Sequence, residues 1–117
     1  MLEDKAKELG RLIGQSPEYQ GLKRSSDALN EDREAVTLLQ QMEKLRGEAQ
    51  QLIQRGENPT EEMEKQLDEL LEKIQGQSVY QGAVAAQENF DKLMLRVNQW
   101  IMDGMKKGAA SPIITLS

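Results

Sequence analysis

The chain contains no cysteine and no histidine. No thiol nucleophile, no disulfide, and no zinc or iron–sulfur site resting on protein thiolates can be assembled from it alone. Histidine general bases, Ser-His-Asp triads and histidine-ligated haem are excluded as well. Aromatic residues are scarce, with Tyr19, Tyr80, Phe90 and Trp100 the whole set, so a core must be built from Leu, Ile, Val, Ala and Met. No apolar run approaches the ~20 residues that span a bilayer. Met1 to Arg11 alternates charge with leucine and has no signal-peptide core, which predicts a cytoplasmic protein without membrane insertion. Neither a G-x-x-x-x-G-K-[ST] loop nor a strand-linked G-x-G-x-x-G occurs. Ser16, Ser25, Ser26, Ser78, Ser111 and Ser117 have no histidine to activate them. The expectation is a protein that is not an enzyme and needs no cofactor.

Charge narrows the partners further. The formal net charge is −5, and residues 57–72 set seven carboxylates against Lys65 alone. Phosphate backbones require clustered Lys and Arg, so Lys106 and Lys107 are too few and direct nucleic-acid binding is not expected. Glu61, Glu64 and Asp68 recur at helical spacing and supply hard oxygen ligands of the kind a divalent cation takes. The simpler reading is a solvated face with pairs such as Glu69–Lys73. A ferritin-like di-iron site is excluded, since its Glu-x-x-His ligands need histidine.

What the chain does have is helical periodicity. Val79, Ala83, Ala86, Phe90, Leu93, Val97, Trp100 and Gly104 are spaced 4-3-4-3-4-3-4, the apolar seam of one long helix. The same rhythm returns in Leu2, Ala6, Leu9 and Ile13. It recurs in Ala35, Leu38, Met42, Leu45, Ala49 and Leu52, with Leu39 and Ile53 beside them. Met63, Leu67, Leu70 and Ile74 repeat it once more. Punctuation divides these seams into five helices. The first runs from about Leu2 to Ile13 and ends at Gly14. Ser16 caps a second, opening at Pro17 and running to about Leu29. Asn30 is the expected cap of a third, reaching Arg55 and stopped by Gly56. Asn58, Pro59 and Glu61 read as the capping box of a fourth that ends at Gly76, and Ser78 with Gln81 as that of a fifth reaching Lys107. The short loop at Gly56–Pro59 predicts an antiparallel helical hairpin, whereas the Gly76–Ser78 break fits a hairpin or a bend equally. The fold class is therefore all-α, a bundle of about five helices with a long C-terminal helix. Residues 1–107 form a single helical domain and 108–117 a C-terminal tail. Leu67, Leu70 and Phe90 are expected to be structural, since burying a Leu is worth roughly 1.5–3 kcal/mol.

Ala6, Leu9, Gly10 and Ile13, then Ser16-Pro17-Glu18-Tyr19 and Leu22-Lys23, resemble the opening of the YlbF/YmcA family of small helical bacterial proteins. Asp32 with Glu34-Ala35 matches the start of that family's third helix. Val79, Ala86, Phe90, Leu93, Val97-Asn98 and Ile101 look like its closing helix. The resemblance spans about residues 4–105, and with no cysteine the chain is most similar to the cysteine-free branch. It implies an all-α, non-enzymatic protein, dimeric or larger. The implied role is a regulatory adaptor affecting competence, sporulation or biofilm formation through a complex that steers an endoribonuclease in mRNA maturation. A sister family member or that ribonuclease complex would be the partner. The cysteine-held iron–sulfur cluster of some relatives does not carry over.

One row remains outside the principal seams. At 100° per residue from Phe90, the fifth helix's main stripe spans about −80° to +60°, while Val84, Leu95 and Met102 fall together near 120–140°. A second apolar row means a second neighbour, and in so small a chain another subunit is the favoured one. Trp100, at the edge of the stripe, reads either as an interface anchor or as a partly buried core residue. Met94, Met102 and Met105 read as adaptable filling nearby. Asn98 reads as a buried hydrogen-bonding group or as an exposed one. Val84, Leu95, Trp100 and Met102 are accordingly the candidate interface. The expected function is a regulatory adaptor acting through helix-mediated self-association and protein binding. The alternative is a holdase-type chaperone or scaffold that grips clients with exposed Met and Leu.

Overall fold

A computed structural model describes residues 1–110. Those residues form five helices and no strand: α1 (Leu2–Gly14), α2 (Pro17–Glu31), α3 (Arg33–Gln54), α4 (Glu61–Gln75) and α5 (Ser78–Ala109). α5 thus takes in Gly108 and Ala109 of the expected tail, and the cluster of Ile113, Ile114 and Leu116 lies outside the described residues. The content of α1, α3, α4 and α5 follows from seams that each give a helix one apolar side, and the breaks follow from local capping chemistry.

Ser16 caps α2 as expected, its Oγ accepting from the Tyr19 N–H at 3.1 Å. The other caps fall elsewhere. Asn30 stays inside α2, and Asp32 caps α3 by accepting from the Ala35 N–H at 2.9 Å. Asp32 is the residue that leaves helical geometry, with φ −86° and ψ 108°, so its short carboxylate can turn back onto the first turn. Thr60 rather than Asn58 caps α4, accepting from the Met63 N–H at 3.1 Å, and Pro59 remains in the loop. That register places Glu61, Glu62 and Glu64 in the first turn, where carboxylates complement the helix dipole. Ser78 is the first residue of α5 and not its cap, and Gln81 donates from Nε2 to the Gln75 carbonyl at 2.7 Å instead of closing a box. Gly56 ends α3 in left-handed geometry (φ 81°). Its N–H donates to the Ile53 carbonyl at 3.0 Å and the Glu57 N–H to that of Leu52 at 2.8 Å, the paired bonds of a Schellman motif.

α3 and α4 fold back on each other as the expected hairpin. α4 and α5 do not: α5 packs chiefly along α2, and α4 along α3, so the Gly76 break is a bend. α2 runs antiparallel to α5, with Tyr19 edge-on to Phe90 at 5.7 Å between ring centroids and an interplanar angle of 61°. Two helical pairs, α2/α5 and α3/α4, are joined where Ala35, Leu38, Met42 and Ile74 are buried together. Leu29, Leu39, Leu67, Leu70, Leu71, Val79 and Tyr80 pack around that joint half-buried.

The result is long and thin. The principal extents are 67 × 37 × 19 Å and the radius of gyration is 21.5 Å, against roughly 13 Å for a compact chain of this length. Accessible surface is 9351 Å², where a compact monomer of this mass exposes about 6,400 Å². The seam of α5 is half-buried from Val79 to Leu93 and fully buried at Val97, but Trp100 and Gly104 emerge into solvent.

Ile74 is completely buried in the joint, and Ile74→Ala is expected to cost about 2–5 kcal/mol, read as a lowered urea midpoint at fixed protein concentration. Two glycines should move that midpoint in opposite directions. Gly56→Ala forces a left-handed Ala and should destabilise by about 1 kcal/mol. Gly47→Ala adds a methyl to the α3 interior, where a Cβ meets nothing within 4 Å, and should stabilise by up to about 1 kcal/mol.

Candidate protein-interaction surface

Among the described residues no polar or charged side chain is buried, and no group of three or more carboxylates is gathered closely enough to hold a metal ion. The carboxylates of α4 are exposed and sit on a solvated helix surface. Ion pairs among the described residues lie in α1, where Lys7 meets Glu3 at 2.8 Å and Lys5 meets Glu8 at 3.9 Å. The expected Glu69–Lys73 pair is not among them. Both partners line a groove of about 350 Å³ between α3 and α4 that has Leu45 and Leu70 in its walls. The periodicity gave no warning of this groove, because Leu45 and Leu70 belong to seams that predict burial.

The chemistry the surface offers is apolar adhesion. Val84 is 39% exposed, Leu95 61%, Trp100 61% and Met102 56%. Val84, Leu95 and Met102 share one side of α5, with about 16 Å of helix between the first two and about 10 Å between the last two. Trp100 projects from the other flank of the helix, roughly 140° round from Leu95, so the four do not make one compact patch. Val84 stands apart in a second respect. It lines a shallow hollow at the α4–α5 bend with Gln75, Tyr80, Gln81, Ala85 and Glu88. Leu95, Trp100 and Met102 belong to the free end of α5. The core role considered for Trp100 is corrected by its exposure, and the buried role considered for Asn98 likewise, since Asn98 is exposed.

Ile101 and Met105, also exposed, extend the apolar surface at that end of α5, and Leu2 and Leu12 do the same on α1. The signal for Ile101 was present in its position on the main stripe. Its exposure was not legible, because it depends on α1 failing to cover it.

Five helices with apolar side chains left uncovered, and no buried polar group among the described residues, define an all-helical protein with an open surface. The chain belongs to the family described as control of competence regulator ComK, YlbF/YmcA, which matches residues 2–106. Relatives named UPF0342 protein come from bacteria. That of Limosilactobacillus reuteri is 26% identical over 98 residues, covering 84% of this chain and 80% of the relative. That of Streptococcus sanguinis is 31% identical over 100 residues, covering 86% and 89%. Bacillus subtilis RicA, solved by X-ray crystallography in complex with RicF, shares the fold at a TM-score of 0.79 and 17% identity, over 92% of this chain and 96% of that one. The family is regulatory, and no helix among the described residues is long and apolar enough to cross a membrane.

Since Leu95 and Met102 contribute little to the chain's own core, Leu95→Ala or Met102→Ala is expected to change unfolding free energy by no more than about 0.5 kcal/mol in the isolated subunit. Denaturation at high dilution checks this, and a loss matching that of Ile74→Ala would mean that the side chain is internally packed.

Proposed function

We propose that the protein is a non-enzymatic regulatory adaptor of the cytoplasm, a single helical domain that self-associates and docks a protein partner through α5. Val84, Leu95, Trp100 and Met102 carry the docking, and a sister family member or a ribonuclease-containing complex is the partner. The observation that supports this reading most directly is the apolar row on α5, which stands in water although the helix's main seam is half-buried from Val79 to Leu93 and buried at Val97. An exposed Trp flanked by Met is the composition in which interface energy concentrates. RicA, which shares the fold, was crystallised with RicF, and competence control is the role in the family's description.

Capture of the tagged protein from lysate of its own host tests the adaptor role, with Val84→Glu/Leu95→Glu as the comparison. One or two stoichiometric partners are expected, lost in the double variant, with helical circular dichroism retained in both. A broad set of unrelated clients held equally by the variant would replace the adaptor with the holdase reading.

A further inference from the structure

We propose that the groove between α3 and α4 is a docking site for a basic amphipathic helix of another protein, which lies along the hairpin as its third helix. The site is separate from the row on α5 and goes beyond the reading above.

The first observation is an unfinished seam. The buried side chains of these two helices, Ala35, Leu38, Met42 and Ile74, all lie at the joint. Further along the arm the seam continues through Leu45, Ala49 and Leu52 on α3 and Met63, Leu67 and Leu70 on α4, and every one of them is only half-buried. α5 packs chiefly along α2 and not along this arm. Two antiparallel helices have a furrow between them but no interior, and a third helix seated in the furrow supplies one. An amphipathic helix takes such a groove with apolar anchors at i, i+3 or i+4, and i+7.

The second observation is the rim of the groove. Leu45 and Leu70 form the apolar walls of its roughly 350 Å³. Gln41, Lys44 and Glu48 border it on α3, and Gln66, Glu69 and Lys73 on α4. Each set steps three and then four residues, so about 10 Å of each helix, two turns, is lined. All six side chains are exposed. Among the described residues the ion pairs are those of α1, so Lys44, Glu48, Glu69 and Lys73 form none with one another. Their charges are presented to whatever enters the groove.

The third observation is charge, and it selects the occupant. On α3, Arg33, Lys44 and Arg46 balance Glu34, Glu43 and Glu48, whereas residues 57–72 set seven carboxylates against Lys65. Gln66 and Glu69 also border a second hollow, of about 500 Å³, with Glu61, Glu62 and Lys65. The groove therefore continues outward onto an acidic surface. A helix with a stripe of Leu, Ile or Met finds apolar cover against Leu45 and Leu70, while Lys or Arg on its flanks meets Glu61, Glu62 and Glu69. A second copy seated here about a two-fold axis would set those carboxylates against themselves, so a separate, basic partner is the occupant.

The test is fluorescence anisotropy of a labelled helical peptide of about five turns, with Leu on one face and Lys on both flanks, titrated with the full chain at about 0.15 M salt. Saturable one-to-one binding in the micromolar range is expected. Replacing the peptide's Leu by Ala, or its Lys by Glu, should weaken it at least about ten-fold. Glu69→Lys on the rim and Gln66→Trp, which fills the groove from an exposed position, should each do the same with helical circular dichroism unchanged. Glu8→Lys on α1 should stay within about two-fold. No binding overturns the site. Equal affinity for the Leu and Ala peptides, or equal weakening by Glu8→Lys and Glu69→Lys, reduces the contact to general charge attraction and overturns it too. Peptide that binds only as sedimentation shows copies of the chain separating assigns the groove to a second copy and overturns the separate partner.

Discussion

Burial of Ile74 against Ala35, Leu38 and Met42 is the constraint on which the arrangement of helices rests. Three of these side chains come from the first half of α3 and one from the last turn of α4. They lie where two short breaks, at Asp32 and at Gly76–Gln77, redirect the chain. Without that cluster, α2/α5 and α3/α4 would be two separate antiparallel pairs sharing a flexible joint, and a helical pair alone buries too little to hold itself. The half-buried ring from Leu29 to Tyr80 thickens the joint. The helices pointing away from it thin towards two helix diameters, which is why the molecule is 67 Å long and only 19 Å deep.

That thinness has a functional consequence. Side chains on a two-helix layer are never covered from both sides, so even a strong seam leaves its members half in water. The cost is borne unevenly. In α3 and α4 the exposed flanks are mostly charged or polar, Ile53 being an apolar exception. At the end of α5 they are Leu, Met, Ile and Trp, and no internal neighbour is placed to receive them. A protein built this way keeps its apolar surface on the outside, and it belongs to a family described by the control of a competence regulator.

Much of this was legible in the residues. Four seams located four of the five helices, Ser16-Pro17 located the start of α2, and the Gly56 stop with its short loop predicted the hairpin. The family resemblance, read from Ser16-Pro17-Glu18-Tyr19 and the closing helix, agrees with a family match over residues 2–106. Cap positions were less legible, because Asn30 and Asp32, or Asn58 and Thr60, offer equivalent side-chain oxygens two residues apart. Which one leaves the helix depends on how the flanking helices are held by their neighbours. The candidate row was legible as a row. That Trp100 projects on a different flank from Leu95, and that Val84 sits in its own hollow, came from the structure.

The sequence by itself determined what is local: helix content, the positions of the breaks, the sides that each helix offers for packing, and the exclusion of thiol and imidazole chemistry. Periodicity encodes these because a helical face is defined by residues three and four apart. Only the tertiary structure decided that the Gly76 break is a bend, that Val97 is buried while Trp100 one turn later is not, and that α1 leaves the end of α5 open. Burial is a property of what lies opposite, and here the opposing residue is often sixty or more positions away in the chain.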